Sequence, residues 1–256
     1  MALLGEPPRT QFDFGFSVFG FRVRVCAFFW LAAILLGQGA ASLGAKFLLL
    51  WIAAMFLSIL IHELGHAFAF RHFGISSHIV LYHFGGLAIP DSMGSPWNVN
   101  TRARDPRSDL LISAAGPAAQ ILGAVALIVI FNAGGFSVPV FGFVQNILPA
   151  QNGRPLPSEE LHLFLAFFIN VSIFWALLNL LPVYPLDGGQ IARNVLKMFV
   201  GSVQAIPYSL MLSVGAAAFV ALWSFTQGDS FVGIMFALLG YSSYQQLNMY
   251  RGPGSW

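Results

Sequence analysis

The stretch that decides the fold is IHELGH, residues 61–66, which lies inside a long apolar run. KFLLLWIAAMFLSIL precedes it and AFAF follows it, so hydropathy predicts a membrane-spanning helix through the whole run. A charged side chain at the centre of a bilayer costs roughly 2.5 to 3.5 kcal/mol on insertion scales, so it needs a compensating partner. Two imidazoles and a carboxylate in this run therefore predict a bound metal ion.

The composition of the whole chain is that of a membrane protein. Of its 256 residues, 57% are hydrophobic and 9% are charged, whereas a soluble domain carries about 25% charged residues. The net charge of +2 gives no indication of a nucleic-acid-binding face, so nucleic acid is not an expected partner. Cys26 is the single cysteine, which excludes an internal disulfide and a cysteine-rich zinc site. Metal ligands are therefore expected to be His, Asp or Glu.

Six apolar segments are close to the length that a transmembrane helix needs. They are residues 25–43, 47–70, 110–131, 163–181, 205–225 and 231–247. The predicted fold class is an all-α polytopic membrane protein of about six transmembrane helices with a small membrane-associated β-hairpin or sheet. The first apolar run is expected to stay as a span and not to be cleaved as a signal peptide.

The positive charges predict the orientation of the six spans. Ten of the twelve Lys and Arg residues fall on one side of this arrangement, and Lys46 and Arg154 fall on the other. By the positive-inside rule the first side is cytoplasmic. We therefore expect an integral, multi-pass protein of a bacterial inner membrane with both termini in the cytoplasm.

The expected organisation is one six-span core with short additions. Residues 1–24 form an N-terminal cytoplasmic segment whose alternating FDFGFSVFGFRVRV predicts strand character, residues 25–250 form the core, and 251–256 form a short tail. Within the core, residues 78–90 predict a β-hairpin with its turn at Phe84, Gly85 and Gly86. Residues 189–200 predict an amphipathic helix at the cytoplasmic interface, and 134–158 an interfacial loop.

The histidine pair in IHELGH has the spacing of a metal site. On a helix, His62 and His66 are one turn apart on the same face, with Glu63 beside them. Two packed histidines bonded to nearby backbone are the alternative interpretation. A catalytic zinc site needs a third protein ligand. Asp187, near the cytoplasmic end of the fourth predicted span, is a candidate because it lies at the same predicted depth as Glu63 and His66.

Three further histidines and a run of small residues lie close to this motif in the predicted fold. His72, His78 and His83 are interpreted as interfacial polar residues, with extra metal ligation as the alternative. Residues 113–116, read SAAG, present a small-residue face. Such a face lets one membrane helix approach another closely, so the third span is expected to pack against a neighbour, the IHELGH helix being the candidate.

Three motifs together resemble the site-2 protease family of intramembrane zinc metalloproteases. They are IHELGH at 61–66, AAGPAAQ at 114–120 and NLLPVYPLDGG at 179–189. The resemblance covers about residues 20–200 and points to a compact form, because no segment here has room for the PDZ domain that many members carry. One position departs from the family pattern, since Gln120 stands where the family has Asn.

The resemblance implies both the chemistry and the site residues. It implies one Zn²⁺ per chain held by His62, His66 and Asp187, with Glu63 as the general base. It also implies that Asn179 helps to hold the substrate carbonyl and its developing oxyanion. The implied reaction is cleavage of single-span membrane proteins within or near the lipid bilayer.

A helical substrate must unwind before its peptide bonds become accessible. The hairpin at Gly85, Gly86 and Leu87 is a possible substrate-binding element, because an unpaired strand edge can accept an extended segment as a further strand. Two other functions are weighed against proteolysis. A metal transporter predicts several polar sites along a pathway, whereas an inactive relative that only binds membrane proteins does not need the intact Glu63.

Overall fold

The computed structural model describes residues 6–82, 85–91, 105–140 and 153–251 of the chain. In that part the elements are β1 (Phe14–Val18), β2 (Phe21–Val25), α1 (Ala27–Leu36), α2 (Gln38–Leu43), α3 (Ala45–His72), β3 (Ser77–Tyr82), β4 (Gly85–Pro90), α4 (Pro106–Ala133), α5 (Glu159–Asn179), α6 (Asp187–Val200), α7 (Ser202–Thr226) and α8 (Ser230–Arg251). The chain divides into two compact units: Met1–Asn100 with Ala115–Ala176, and Thr101–Ala114 with Leu177–Trp256.

The first unit contains a four-stranded sheet in the order β1-β2-β3-β4. β1 and β2 form an antiparallel hairpin around Phe19 and Gly20, whose φ angles of 50° and 82° are left-handed. Two consecutive left-handed residues match the right-handed twist of paired strands, which explains this tight turn. β2 then pairs in parallel with β3, and β3 pairs antiparallel with β4. The buried sides of β2 and β3 pack against α1 and α3 in one apolar core.

Four helices in the described part are long and apolar enough to cross a membrane: α3, α4, α5 and α7. Large apolar side chains remain exposed along them, for example Leu122 at 67% and Phe219 at 70%. Lipid tails are a suitable environment for such surfaces, whereas water is not. The expectation of a polytopic helical protein with a small sheet is therefore confirmed, while the count of six spans is not.

Residues 25–43, the first of the six predicted spans, do not form one continuous helix. The segment begins at the end of β2 and continues as two shorter helices, α1 and α2, which meet at Gly37. A methyl group built on Gly37 would lie 2.5 Å from Cδ1 of Trp51 and 2.8 Å from Cδ1 of Leu48. The backbone at Gly37 thus lies directly against side chains of α3, a contact that glycine permits because it has no Cβ.

Two of the three residues predicted to form the hairpin turn lie in a strand instead. Gly85 and Gly86 are part of β4, where they pair with Tyr82 and Leu81. His83 and Phe84, the latter a predicted turn residue, lie outside the described residues. The strand position of Gly85 and Gly86 matters for the site, because a glycine in a strand has a defined register against its neighbours whereas a turn residue does not.

The second unit is built mainly from α6, α7 and α8. Its core contains Val183, Ala217, Ala221 and Phe236. α6 covers the segment for which the sequence predicts an amphipathic helix, and it exposes apolar side chains such as Phe199. α8 occupies the sixth predicted span but is not among the four helices that meet the requirements for crossing a membrane.

Candidate metal centre

α3 places the two histidines and the glutamate of IHELGH in the interior of the first unit. His62, Glu63 and His66 are all buried. The Nε2 atoms of the two imidazoles are 3.1 Å apart, and the ring centroids are separated by 4.8 Å. Two ring nitrogens this close, one turn apart on a helix, have their lone pairs in position to share one cation.

The imidazoles reach this position because α4 passes very close to α3. A methyl group built on Gly65 would lie 2.8 Å from Cβ of Ala119, and one built on Gly116 would lie 2.8 Å from Nε2 of His62. Both distances are too short for a real side chain, so only glycine fits at these two positions. The expectation that the 113–116 face allows close packing on the IHELGH helix is confirmed for Ala115 and Gly116, and Gly116 in addition lies directly against the imidazoles.

Gln120, the residue that departs from the family pattern, contacts the histidine pair. Its Oε1 is 2.9 Å from Nδ1 of His62. Its amide nitrogen donates to Oγ of Ser58 at 2.9 Å and to the Ser58 carbonyl at 3.2 Å. Gln120 is part of the motif AAGPAAQ, so the sequence drew attention to it, but the resemblance implied no role for this residue.

The β3–β4 hairpin lies against Glu63. A methyl group built on Gly86 would lie 2.5 Å from Oε1 of Glu63, so the β4 backbone is in immediate contact with this carboxylate. On the same hairpin, burial raises the pKa of Tyr82 to about 12, and the negative charge of Glu63 acts in the same direction. Gly85 faces the indole of Trp175, and a methyl group built on this glycine would lie 3.2 Å from Cζ2 of the ring. Of the predicted substrate-binding residues, Gly86 is thus the one next to the proposed base.

The second unit holds Asn179 and Asp187. α5 ends at Asn179, and Asp187 is the first residue of α6, where it is buried. A methyl group built on Gly189 would lie 2.6 Å from the backbone nitrogen of Tyr184, and one built on Gly188 would lie closer still to the backbone of Leu180. The two glycines let the start of α6 fold back onto the preceding turn, and a carboxylate there is favoured by the positive end of the helix dipole.

The remaining residues that the sequence analysis singled out are exposed or have other contacts. His72 is an exposed residue at the end of α3. His78 contacts Asp91, with Nδ1 2.7 Å from Oδ1, and lies 3.6 Å from Glu6. Leu87 is a half-buried residue of β4, paired with Val80.

Residues 50–222 match the family model described as peptidase family M50. The chain belongs to peptidase family M50. In this family, "Zinc metalloprotease MJ0392" of Methanocaldococcus jannaschii is 26% identical over 172 residues, which are 66% of this chain and 41% of that protein. A Synechocystis relative, sll0528, whose name also contains the words zinc metalloprotease, is 28% identical over 58% of this chain and 31% of its own length.

A solved structure supports the same assignment of fold. The site-2 protease from Methanocaldococcus jannaschii has a TM-score of 0.57 to this M50 chain, with 18% identity over 93% of this chain and 96% of that one. The resemblance to the site-2 protease family, a family of zinc metalloproteases, is therefore confirmed, and with the four apolar helices it identifies an integral membrane protein. The chain spans less than half the length of the curated relatives that it matches.

Proposed function

We propose that this protein is an intramembrane zinc metalloendopeptidase that cleaves single-span membrane proteins. The proposal rests on the buried side chains of His62 and His66, whose Nε2 atoms are 3.1 Å apart. Glu63 lies beside them on the same apolar helix. Two imidazole nitrogens that face each other at this distance can ligate the same cation. Membership of family M50 supports the same chemistry.

The donor set fits zinc. His62, His66 and Asp187 each offer one ligand atom, and together they are two imidazole nitrogens and one carboxylate oxygen. Zinc commonly takes nitrogen and oxygen ligands in catalytic sites, with three from the protein and one position open. When bound, zinc lowers the pKa of water towards neutrality and polarises a carbonyl. We propose that these three residues hold the ion, one per chain.

Glu63 and Asn179 have separate proposed roles. Glu63 is next in sequence to a proposed ligand, and its carboxylate accepts the proton of the attacking water and then delivers it to the amine nitrogen of the leaving peptide. Because Glu63 is only 3% exposed, bulk water has little access to the proton while the carboxylate holds it. Asn179 donates a hydrogen bond to the oxyanion that develops on the scissile carbonyl.

The substrate segment is proposed to bind along β4. In the order β1-β2-β3-β4, β4 is the last strand, and on its outer edge the described residues include no paired strand. An extended substrate segment added there can form backbone hydrogen bonds with β4. Within the bilayer such bonds are required, because no water is present to replace them. Gly86 on this strand lies against Glu63, so the added segment passes close to the proposed base.

The proposed topology has six spans and cytoplasmic ends in a bacterial plasma membrane. It is supported by the distribution of Lys and Arg and by the four helices of membrane-crossing length. Reporter fusions after Lys46 and Asp229 are expected outside and fusions after Arg104 inside. A cytoplasmic signal after Lys46 would contradict this orientation.

The experiment that tests the function separates metal binding from cleavage. Wild-type and Glu63→Gln proteins are purified in detergent for metal analysis and are co-expressed with a panel of single-span membrane proteins whose fragments are identified by mass spectrometry. The wild type is expected to carry about one zinc and cut a panel member, whereas Glu63→Gln keeps the zinc and cuts nothing. The exposed Glu159→Gln is the matched control and should behave as wild type.

Two results would overturn the proposal. Cleavage by Glu63→Gln at the wild-type rate would exclude its role as the base. A wild type that cuts no panel member but transports zinc into liposomes would identify a transporter instead.

A further inference from the structure

Three buried polar side chains beside the histidine pair have no role in the proposed mechanism. They are Ser58 of α3, Gln120 of α4 and Ser172 of α5, and each is 0% exposed. Ser172 Oγ donates to Ser58 Oγ at 2.9 Å, and the Gln120 amide nitrogen bonds the same hydroxyl at 2.9 Å. Burying polar groups in an apolar interior is costly unless they are hydrogen-bonded. The hydrogen bonds of this Ser58–Gln120–Ser172 network offset that cost.

The backbone carbonyl of Ser58 fixes the direction of the Gln120 amide. The backbone carbonyl of Ser58, 3.2 Å from the amide nitrogen of Gln120, can only accept a hydrogen bond. If the amide were turned around, its oxygen would face this carbonyl and two acceptors would repel each other. The nitrogen must therefore face Ser58, and Oε1 must face His62.

The amide direction in turn fixes the hydrogen on His62. Oε1 of Gln120 lies 2.9 Å from Nδ1 of His62 and can only accept, so Nδ1 must carry the hydrogen. A neutral imidazole has one N–H, so Nε2 is the nitrogen that carries the lone pair. That nitrogen is the one that faces Nε2 of His66 at 3.1 Å.

We propose that Gln120 is a positioning residue that holds His62 in the tautomer and ring orientation required for metal binding. The inference rests on the proposed function, because it assigns Nε2 of His62 to the zinc. Gln120 acts through His62 and touches no reacting atom. Partners that hold the second nitrogen of a metal-ligating histidine typically contribute about 10- to 100-fold to metal affinity.

The test uses three variants of the full-length protein in detergent. Gln120→Met keeps the length of the side chain but can neither accept from His62 nor donate to Ser58. Its zinc affinity, measured by competition with a chelator, is expected to fall about 10- to 100-fold. Gln120→Glu keeps an acceptor for Nδ1, although its second oxygen faces the Ser58 carbonyl as another acceptor, so its zinc affinity is expected to fall by less than about tenfold. Ser172→Ala removes the distant hydrogen bond of the same network, leaves the His62–Gln120 contact intact and should keep wild-type affinity.

A spectroscopic readout separates positioning from a merely structural role. Cobalt(II) is substituted for zinc, and its visible absorption reports the geometry of the ligands. The spectrum is expected to change in Gln120→Met and to stay unchanged in Ser172→Ala. If Gln120 had only a structural role, Gln120→Met and Ser172→Ala would have the same cobalt spectrum. Gln120→Glu would then bind zinc no more tightly than Gln120→Met.

The outcomes distinguish the two proposals. Wild-type affinity in Gln120→Met, or a loss of affinity of about tenfold in Gln120→Glu, would overturn the role of Gln120 while leaving the zinc site in place. If Gln120→Met does not fold, the zinc affinity of Gln120→Glu alone decides whether Gln120 has this role. A wild type that binds no zinc would overturn the proposed function before any variant is compared.

Discussion

Replacing Gly116 by alanine is expected to abolish metal binding although no proposed ligand is changed. Gly116 lies on α4 opposite the histidine pair, and a methyl group there would be 2.8 Å from Nε2 of His62 and closer still to Nε2 of His66. These are the nitrogens assigned to the metal. The added methyl group would therefore occupy the space between the helix backbone and the ligand atoms.

The size of the disturbance follows from the distances. Ordinary van der Waals contact begins at 3.4 Å, so the methyl group needs about 0.6 Å more than the 2.8 Å available to it beside His62. Ligand distances in a metal site are maintained within about 0.2 Å, so the required displacement is about three times this tolerance. The ring of His62 cannot yield freely, since its other nitrogen is bonded to Gln120. Overpacking of this kind also costs about 1 to 3 kcal/mol of stability.

Two other glycines provide matched comparisons. Gly123→Ala lies on the same helix, where an added methyl group meets nothing within 4 Å. This variant should keep the metal, and its free energy of unfolding should rise by up to about 1 kcal/mol because alanine has the higher helix propensity. Gly86→Ala would place a methyl group 2.5 Å from Oε1 of Glu63, so it should keep the metal but lose cleavage through displacement of the base.

The assay measures zinc per chain, thermal unfolding in detergent and cleavage of a single-span substrate for all three variants. The expected result is loss of zinc and of cleavage in Gly116→Ala, loss of cleavage alone in Gly86→Ala, and neither in Gly123→Ala. If Gly116→Ala bound a full complement of zinc and cut at the wild-type rate, the close approach of α4 to the imidazoles would be refuted.

Three further predictions address other residues. Asn179→Ala should keep zinc but lower turnover on the order of 10²- to 10³-fold, because an oxyanion donor acts in the transition state; a parallel loss of zinc would show a structural role instead. Asp187→Asn should weaken zinc binding in chelator competition, because it replaces an anionic ligand by a neutral amide, and unchanged affinity would exclude ligation. Hydrogen bonds from Thr10 and then Arg24 hold the pKa of Asp13 below its usual 3.8, so its stabilising effect is present above that pH and is lost as pH falls through the lowered value. Asp13→Asn should accordingly reduce the acid dependence of the unfolding temperature, and an identical pH profile would contradict this.

The features that were predictable from the sequence are those with local causes. The spacing of His62 and His66 requires only one helical turn, and the apolar run around them requires only a membrane helix. The prolines between Asn179 and Asp187 and the two glycines directly after Asp187 indicate a helix end and a new helix start, as α5 and α6 show. In each case the relevant residues lie within a few positions of one another.

The features that were missed depend on contacts between distant segments. Residues 25–43 have the hydropathy of one span, but Gly37 breaks the helix where the backbone meets Trp51. Gly85 and Gly86 have the composition of a turn, yet the pairing with β3 makes them part of a strand. Gln120 is 58 residues from His62 in sequence, and only the packing of α4 on α3 brings the two side chains together.

The positions of the small residues explain how polar side chains are held together in an apolar interior. Helices in lipid gain little from burying apolar surface against each other, so close packing depends on residues without bulky side chains. Gly65 and Gly116 bring the α3 and α4 backbones together, and this brings Gln120 within hydrogen-bond distance of His62. Gly86 similarly brings the β4 backbone to Glu63. The histidines and the glutamate therefore have different neighbours. A change at Gly116 should disturb metal binding, whereas a change at Gly86 should disturb proton transfer and leave the metal bound.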